Sequence, residues 1–98
     1  MNVLYEPPAR QELAEAVAYY SQRSPELADR FVADLDSAVE RVIQFPHASP
    51  PLDEGLRRCL LSNFPYQLVY RVEGDTIRVY AVAHQKRRPG YWRKRVGP

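Results

Sequence analysis

The sequence of 98 residues has the length of one domain, which we expect to cover residues 1–98. Its 45% apolar and 27% charged residues are ordinary for a globular protein and exclude a disordered or fibrous chain. The formal charge of +2 is unevenly placed, because residues 1–85 carry eight arginines and twelve acids, whereas residues 86–98 carry six Lys or Arg and no acid. This basic end predicts either a solvated tail or an anionic partner, such as nucleic acid, an acidic protein segment or a phosphate-rich surface. Trp92 within it favours a tail that docks on the protein or stacks on bases.

The N-terminal half predicts one short strand followed by two helices. Residues 3–5 are β-prone and precede two prolines. Apolar residues at helical spacing then predict a helix over about 9–22, and a second helix that begins at Pro25 and ends before Pro46. Ser24 is a typical N-cap residue, which defines the start of the second helix. Because the connection is so short, we expect the two helices to form an antiparallel hairpin.

The C-terminal half predicts three strands after a proline-rich connector. The pattern favours strands over 56–61, 66–72 and 76–84, with a tight turn between the last two. Strict alternation divides the last strand into one face with Ile77, Val79, Ala81 and Ala83, and another with Arg78, Tyr80, Val82 and His84. We expect the first of these faces to receive the helices.

These elements predict an α+β fold. A short N-terminal strand and an antiparallel helical hairpin pack on a mostly antiparallel four-stranded sheet, in the order β-α-α-β-β-β, and a basic C-terminal tail follows.

Neither a cofactor site nor a metal site is indicated. Two isolated histidines and one cysteine have no ligand spacing, and the sequence has no glycine-rich phosphate loop. We therefore expect no cofactor and no metal, and interpret Cys59 as a small apolar strand residue. The first residues do not resemble a secretory signal, no stretch approaches a membrane span, and a lone cysteine suits a reducing compartment. We expect a cytoplasmic protein with no membrane partner.

Several segments in a fixed order resemble one protein family. They read Ala-Tyr-Tyr followed by Pro-Glu-Leu-Ala-Asp-Arg-Phe, then Gly-Leu-Arg-Arg, Phe-Pro-Tyr-Gln-Leu-Val-Tyr-Arg-Val, Ile-Arg-Val-Tyr-Ala-Val-Ala-His and Arg-Arg-Pro-Gly-Tyr-Trp. Together, over about residues 3–95, they resemble the RelE/ParE superfamily of bacterial toxins from type II toxin–antitoxin systems. The ParE-like branch, often labelled plasmid-stabilisation proteins, is the closer match.

The resemblance implies two different activities. RelE-type members are endoribonucleases that cut mRNA in the ribosomal A site without a metal, whereas ParE-type members bind DNA gyrase and stall it on DNA. Both are neutralised by a cognate antitoxin. We favour a gyrase-binding toxin over an enzyme, with a ribosome-dependent mRNA endoribonuclease and a non-toxic binding module as alternatives. We expect homo-oligomers only within a toxin–antitoxin complex.

For the ribonuclease alternative, the resemblance and the residues next to the basic run imply four catalytic residues. They are Arg58, His84, Arg88 and Tyr91. However, Leu60 and Gln67 stand where the RelE pattern implies a lysine and an arginine. Because an uncharged amide cannot balance the negative charge that develops on a phosphate, this departure favours binding over cleavage.

For the binding hypothesis, the charge pattern indicates a surface that contacts the target or nucleic acid. Its candidate residues are Arg57, Lys86, Arg87, Trp92, Arg93, Lys94 and Arg95. Arg57 and Arg58 are adjacent, so they should point to opposite faces of the sheet. We expect His84 to pack under the tail unless it is catalytic, and Tyr66, Tyr70 and Tyr80 to be core residues rather than a platform for bases. An antitoxin should cover the sheet groove and the basic tail.

Overall fold

The protein, described here from a computed structural model of residues 1–97, combines two long helices with a four-stranded sheet. The elements are β1 (Asn2–Tyr5), α1 (Pro7–Ser21), α2 (Pro25–Gln44), β2 (Arg57–Leu60), β3 (Tyr66–Glu73) and β4 (Thr76–His84). The strands lie in the order β1-β4-β3-β2, with β1 parallel to β4 and the other pairs antiparallel. The predicted α+β fold and element order are confirmed. Pro98, the last residue of the expected domain and tail, lies outside the described residues.

The helices follow from their capping signals. Helix α1 begins at Pro7, two residues before the predicted start, because proline costs no hydrogen bond in the first turn. The side-chain oxygen of Ser24 accepts a hydrogen bond from the backbone N–H of Leu27 at 3.1 Å and so caps α2. Helix α2 ends at Gln44, close to the proline that was expected to stop it. None of the helices in residues 1–97 has the length and apolar character that crossing a membrane requires.

The larger apolar core lies between the helices and one face of the sheet. Phe31, in α2, is fully buried there, and its ring centroid lies 5.3 Å from that of Tyr20 in α1 and 5.1 Å from that of Tyr66 in β3. Cys59 is buried in the same core, which confirms its interpretation as a small apolar strand residue. Burying an aromatic side chain of this size stabilises the fold by about 2–3 kcal/mol.

Strand β4 does not alternate regularly, so the prediction for its two faces is wrong. Its register with β3 skips Tyr80, which has no residue opposite it. Such a β-bulge shifts the side-chain alternation of the following residues to the other face. Ile77 and Val79 therefore pack towards the helices, whereas Ala81 and Ala83 pack on the opposite side.

The face of the sheet that points away from the helices is called the outer face below. Part of it is covered by the C-terminal segment, which we define as residues 85–97. Trp92 and Val96 of this segment join Val69 and Ala81 in a second, smaller apolar cluster. The chain reaches this position through a tight turn at Gly90, whose φ of 79° favours glycine. The tail therefore docks on the sheet, one of the two arrangements that the sequence left open.

Candidate interaction site

The two adjacent arginines of β2 lie on opposite faces of the sheet, as alternation predicts. Arg57 lies on the same face as the buried Cys59, and its Nη1 donates hydrogen bonds to the backbone carbonyls of His47 at 3.0 Å and Ser49 at 2.7 Å. These bonds hold the proline-rich connector against the sheet and direct Arg57 away from the expected target surface. Arg58 is exposed on the outer face.

A groove of about 370 Å³ lies on the outer face between β2 and the C-terminal segment. Arg58, Leu60 and Gln67 line it from the sheet, and Arg87 and Trp92 line it from the segment. Leu60 is 51% exposed, so the groove has an apolar edge beside its three cations, Arg58, Arg87 and Arg93. This arrangement can bind an extended chain that carries both acidic and apolar side chains.

His84 lies on the other side of the sheet from this groove. Its ring packs edge-on against Tyr66 in the helix-side core, with centroids 5.0 Å apart. Its Nδ1 accepts a hydrogen bond from the backbone N–H of Lys86 at 3.0 Å. The bulge at Tyr80 explains this position, because strict alternation would have placed His84 on the face of Arg58. Two of the four expected ribonuclease residues, His84 and Arg58, therefore lie on opposite faces of the sheet.

The six cations of the C-terminal segment fall into two sets. The paired set, in which each side chain forms an ion pair with the rest of the protein, is Arg87, Arg93 and Arg95, of which only Arg95 is largely shielded from solvent. The outward set, whose members are exposed and form no ion pair with residues 1–97, is Lys86, Arg88 and Lys94. Only half of the expected positive charge thus faces outward without an acidic partner.

Glu12 of α1 is the acidic partner of two members of the paired set, Arg87 and Arg95. Its side chain is only 9% exposed. Oε1 accepts hydrogen bonds from Arg95 Nη1 at 2.8 Å and from the backbone N–H of Val82 at 3.0 Å. Oε2 accepts from Arg95 Nη2 at 3.0 Å and from the Tyr91 hydroxyl, and Arg87 lies 3.6 Å away. Sequence periodicity missed this role because Glu12 lies off the apolar stripe of its helix.

The two aromatic residues of the segment are held by the protein itself. Burial and the hydrogen bond to Glu12 raise the pKa of Tyr91, so its hydroxyl remains a donor at neutral pH. The guanidinium of Arg87 lies 3.9 Å from the centre of the Tyr91 ring. Trp92 is only 6% exposed. The expectation that this tail stacks on bases is therefore not supported, since Tyr91 and Trp92 both pack on the protein.

A second charged cluster lies on the outer face near the β3–β4 turn. Glu73 accepts hydrogen bonds from Arg78 at 2.8 Å, from Arg71 at 2.8 Å and from the Tyr80 hydroxyl at 3.2 Å. The hydrogen bond from Arg78 is the main cause that lowers the pKa of Glu73. These contacts hold Arg71 and Arg78 within the fold, and the arginines that line the groove are Arg58, Arg87 and Arg93.

The other candidate groups belong to the core. Tyr66 and Tyr70 are buried on the helix side, and Tyr80 is buried on the outer face, so they form no platform for bases. Burial raises the pKa of Tyr66 to about 12. Over the described part of the chain, no group of three or more His, Cys, Asp or Glu side chains is placed to hold a metal ion.

Comparison with known proteins identifies the family. A family model described as the ParE toxin of the type II toxin–antitoxin system parDE matches residues 3–89. The chain belongs to the ParE toxin family. Toxin ParE2 from two strains of Mycobacterium tuberculosis (CDC 1551 / Oshkosh and H37Rv) is 33% identical to it over 79 residues, which is 80% of this chain and 75% of that toxin. The expected membership of the RelE/ParE superfamily is thereby confirmed.

The fold of a ParE-family protein is also found in a solved structure. A chain of the chromosomal ParDE toxin–antitoxin system from P. aeruginosa superposes with a TM-score of 0.74, covering 86% of this chain and 95% of that one. Its sequence identity is 24%, so the likeness concerns the fold. The family match ends at residue 89, whereas the contacts of Tyr91, Trp92 and Arg95 lie beyond it.

Proposed function

We propose that this ParE-family toxin inhibits growth by binding DNA gyrase and that a cognate antitoxin neutralises it. The gyrase target comes from the ParE-like resemblance of the sequence. The observation that carries the proposal is the outer-face groove with the outward set beside it, which offers cations for binding and lacks the groups that cleavage needs.

The groove lacks the charges of a phosphate-cleaving site. Leu60 and Gln67 are neutral at the two positions where the RelE pattern implies cations. Loss of one preorganised donor to a developing negative charge typically costs about 10²–10³-fold in rate. His84, the candidate base, lies across the sheet from Arg58. These features favour inhibition by binding over cleavage of mRNA.

The outward set supplies the attraction to the target. Lys86, Arg88 and Lys94 are exposed on one short segment, and Arg58 is an exposed cation in the groove that this segment borders. Clustered like charges raise the rate of encounter with an anionic partner, and the effect decreases with salt. Gyrase engaged on DNA presents such an anionic surface.

The antitoxin is proposed to bind the same groove. Its exposed Leu60 and the cations Arg58 and Arg87 suit an extended segment with alternating apolar and acidic side chains. The similar P. aeruginosa structure belongs to a ParDE toxin–antitoxin system, which supports a partner of this kind. A short acidic protein encoded next to this gene is the candidate, and its co-expression should restore growth.

The test is a supercoiling assay with purified gyrase. We expect the wild-type protein to inhibit supercoiling, and we expect the triple variant Lys86→Ala, Arg88→Ala, Lys94→Ala to need at least about ten times more protein. The matched control removes three exposed arginines from the helical hairpin, in the variant Arg10→Ala, Arg23→Ala, Arg30→Ala. It has the same net charge as the test variant and should inhibit like the wild type.

Other outcomes identify the alternatives. Unimpaired supercoiling together with mRNA cut at ribosomal A sites after induction would support the endoribonuclease. Unimpaired supercoiling, intact mRNA and normal growth would support a non-toxic binding module. Equal inhibition by the test and control variants would contradict the role of the outward set.

A further inference from the structure

Two side chains, those of Glu12 and Arg95, satisfy backbone groups at the open edge of β4. Strand β1 pairs with β4 only as far as Val79, so the backbone beyond it has no strand neighbour on that side. There the N–H of Val82 donates to Glu12 at 3.0 Å, and the carbonyl of Tyr80 accepts from Arg95 at 3.0 Å. Buried backbone groups need such partners, because leaving one unpaired costs about 1–3 kcal/mol. Glu12 and Arg95 thus form the hydrogen bonds that a neighbouring strand would otherwise provide at this edge.

The same carboxylate holds the C-terminal segment in place. Glu12 forms a bidentate pair with Arg95 and accepts the Tyr91 hydroxyl, while Trp92 and Val96 supply the segment's buried apolar contacts. Removing one partner from a buried, hydrogen-bonded charge pair leaves the other without compensation. The docked segment therefore combines an apolar contact through Trp92 and Val96 with a polar anchor at Glu12.

We propose that Glu12 is a positioning residue that folds the C-terminal segment onto the sheet and thereby determines which of its cations have an acidic partner. With the Glu12 carboxylate in place, Arg95 and the half-exposed Arg87 have an acidic partner, and the outward set, Lys86, Arg88 and Lys94, has none among residues 1–97. Without that charge the segment leaves the sheet, Arg87 and Arg95 lose their partner, and the target surface loses its shape while gaining cations. Only the gyrase assay described below depends on the proposed function; the fluorescence and exchange measurements do not.

Trp92 reports the position of the segment directly. It is the only tryptophan of the sequence, and it is buried in the segment's own cluster. Its fluorescence therefore responds to undocking, whereas unfolding of the helix-side core is followed separately by circular dichroism. The test uses the full chain in four variants, arranged as two matched pairs.

The first pair compares Glu12→Gln with Glu15→Gln. Both acids lie on α1 and both changes alter the net charge equally, but Glu15 is exposed and accepts only a 3.4 Å hydrogen bond from Gln11. The second pair compares Arg95→Gln with Lys94→Gln. The two residues are adjacent, but Arg95 contacts Glu12 whereas Lys94 is exposed. Arg95→Gln leaves in place the hydrogen bond that the backbone N–H of Val82 donates to Glu12, so it tests docking even if Glu12→Gln unfolds the protein.

We expect Glu12→Gln and Arg95→Gln to shift Trp92 emission to longer wavelength, to raise its acrylamide quenching at least about twofold, and to accelerate amide exchange of residues 91–97 at least about tenfold. Exchange in α2 and β3 should change far less. Glu12→Gln should elute from heparin at higher salt than Glu15→Gln, since only the former releases two arginines. The two control variants should keep the emission and exchange of the wild type.

Unchanged Trp92 emission in both Glu12→Gln and Arg95→Gln would overturn the inference. So would exchange that accelerates equally in all elements, because Glu12 would then be a general stabiliser. In the gyrase assay, folded Glu12→Gln should need at least about ten times more protein than Glu15→Gln. If the wild type does not inhibit gyrase, the proposed function fails while the fluorescence and exchange results still decide the role of Glu12.

Discussion

The two faces of the sheet are stabilised in different ways. On the helix side, aromatic residues from α1, α2 and β3 pack around Phe31, and the sheet is covered along most of its length. On the outer face, a small cluster under Trp92 is bordered by the ion pairs of Glu12 and Glu73. Burial of apolar area stabilises the first face, whereas the second depends on buried or half-buried charges that need their partners. The outer face, which carries the cations, is therefore the one whose covering segment is more easily displaced.

The helix side also contains a buried charged residue, and the hydrogen bonds around it explain how the charge is tolerated. Asp34 of α2 is 5% exposed. Its carboxylate accepts hydrogen bonds from the backbone N–H groups of Asn63 at 2.8 Å, Phe64 at 3.0 Å and Ser62 at 3.3 Å. These bonds fix the β2–β3 turn against the helix. A buried charge with several backbone donors needs no cation to compensate it.

The largest expected effect is on the helix side. Phe31→Ala removes a fully buried ring that contacts three aromatic neighbours, and it should lower the free energy of unfolding by about 3–5 kcal/mol. Urea denaturation followed by circular dichroism measures it. The control is Tyr19→Ala, an aromatic residue of α1 that is 48% exposed, for which we expect less than about 1 kcal/mol. Equal costs for the two variants would contradict the assignment of the main core.

An intermediate effect is expected on the outer face. Trp92→Ala should lower the free energy of unfolding by about 2 kcal/mol, less than the 3–5 kcal/mol typical of a core tryptophan, because the segment can undock instead of leaving a cavity. Urea denaturation under the same conditions gives the comparison. A loss as large as that of Phe31→Ala would mean that the segment is as essential to folding as the helix-side core.

The smallest effect concerns the charges of the outer face. Arg78 lowers the pKa of Glu73 below its ordinary value of 4.5, so the ionised carboxylate stabilises the folded protein at neutral pH. This contribution is lost as pH falls through the lowered pKa. The stability difference between wild type and Glu73→Gln, under about 1 kcal/mol near pH 7, should therefore shrink below about pH 4. The control is Glu40→Gln, a change at an exposed residue of α2. Its free energy of unfolding should differ little from that of the wild type, because Glu40 is not the partner of Arg78. A difference for Glu73→Gln that stays constant down to pH 3 would contradict the pair.

The helices and strands could be predicted from the sequence because their signals are local. Ser24 and Pro25 define the start of α2, Gly74 lies in the β3–β4 turn, and apolar periodicity distinguishes helices from strands. The opposite directions of Arg57 and Arg58 follow from the pleat of a strand alone. The family resemblance depended on the order of such segments, and the family match over residues 3–89 confirmed it.

The position of His84 and the role of Glu12 could not be predicted in this way. The bulge at Tyr80 depends on how β3 and β4 pair, and one skipped residue was enough to place His84 across the sheet from Arg58. Glu12 and Arg95 are 83 residues apart in the chain, and only the packing of α1 beside the open edge of β4 brings them together.

By itself, the sequence determined the element order, the apolar core and the concentration of positive charge at the C-terminal end, since periodicity, capping and composition act over a few residues. Only the tertiary structure decided which of those charges have an acidic partner. That choice depends on a distant carboxylate and on strand register, and both arise from contacts between segments that are remote in the chain.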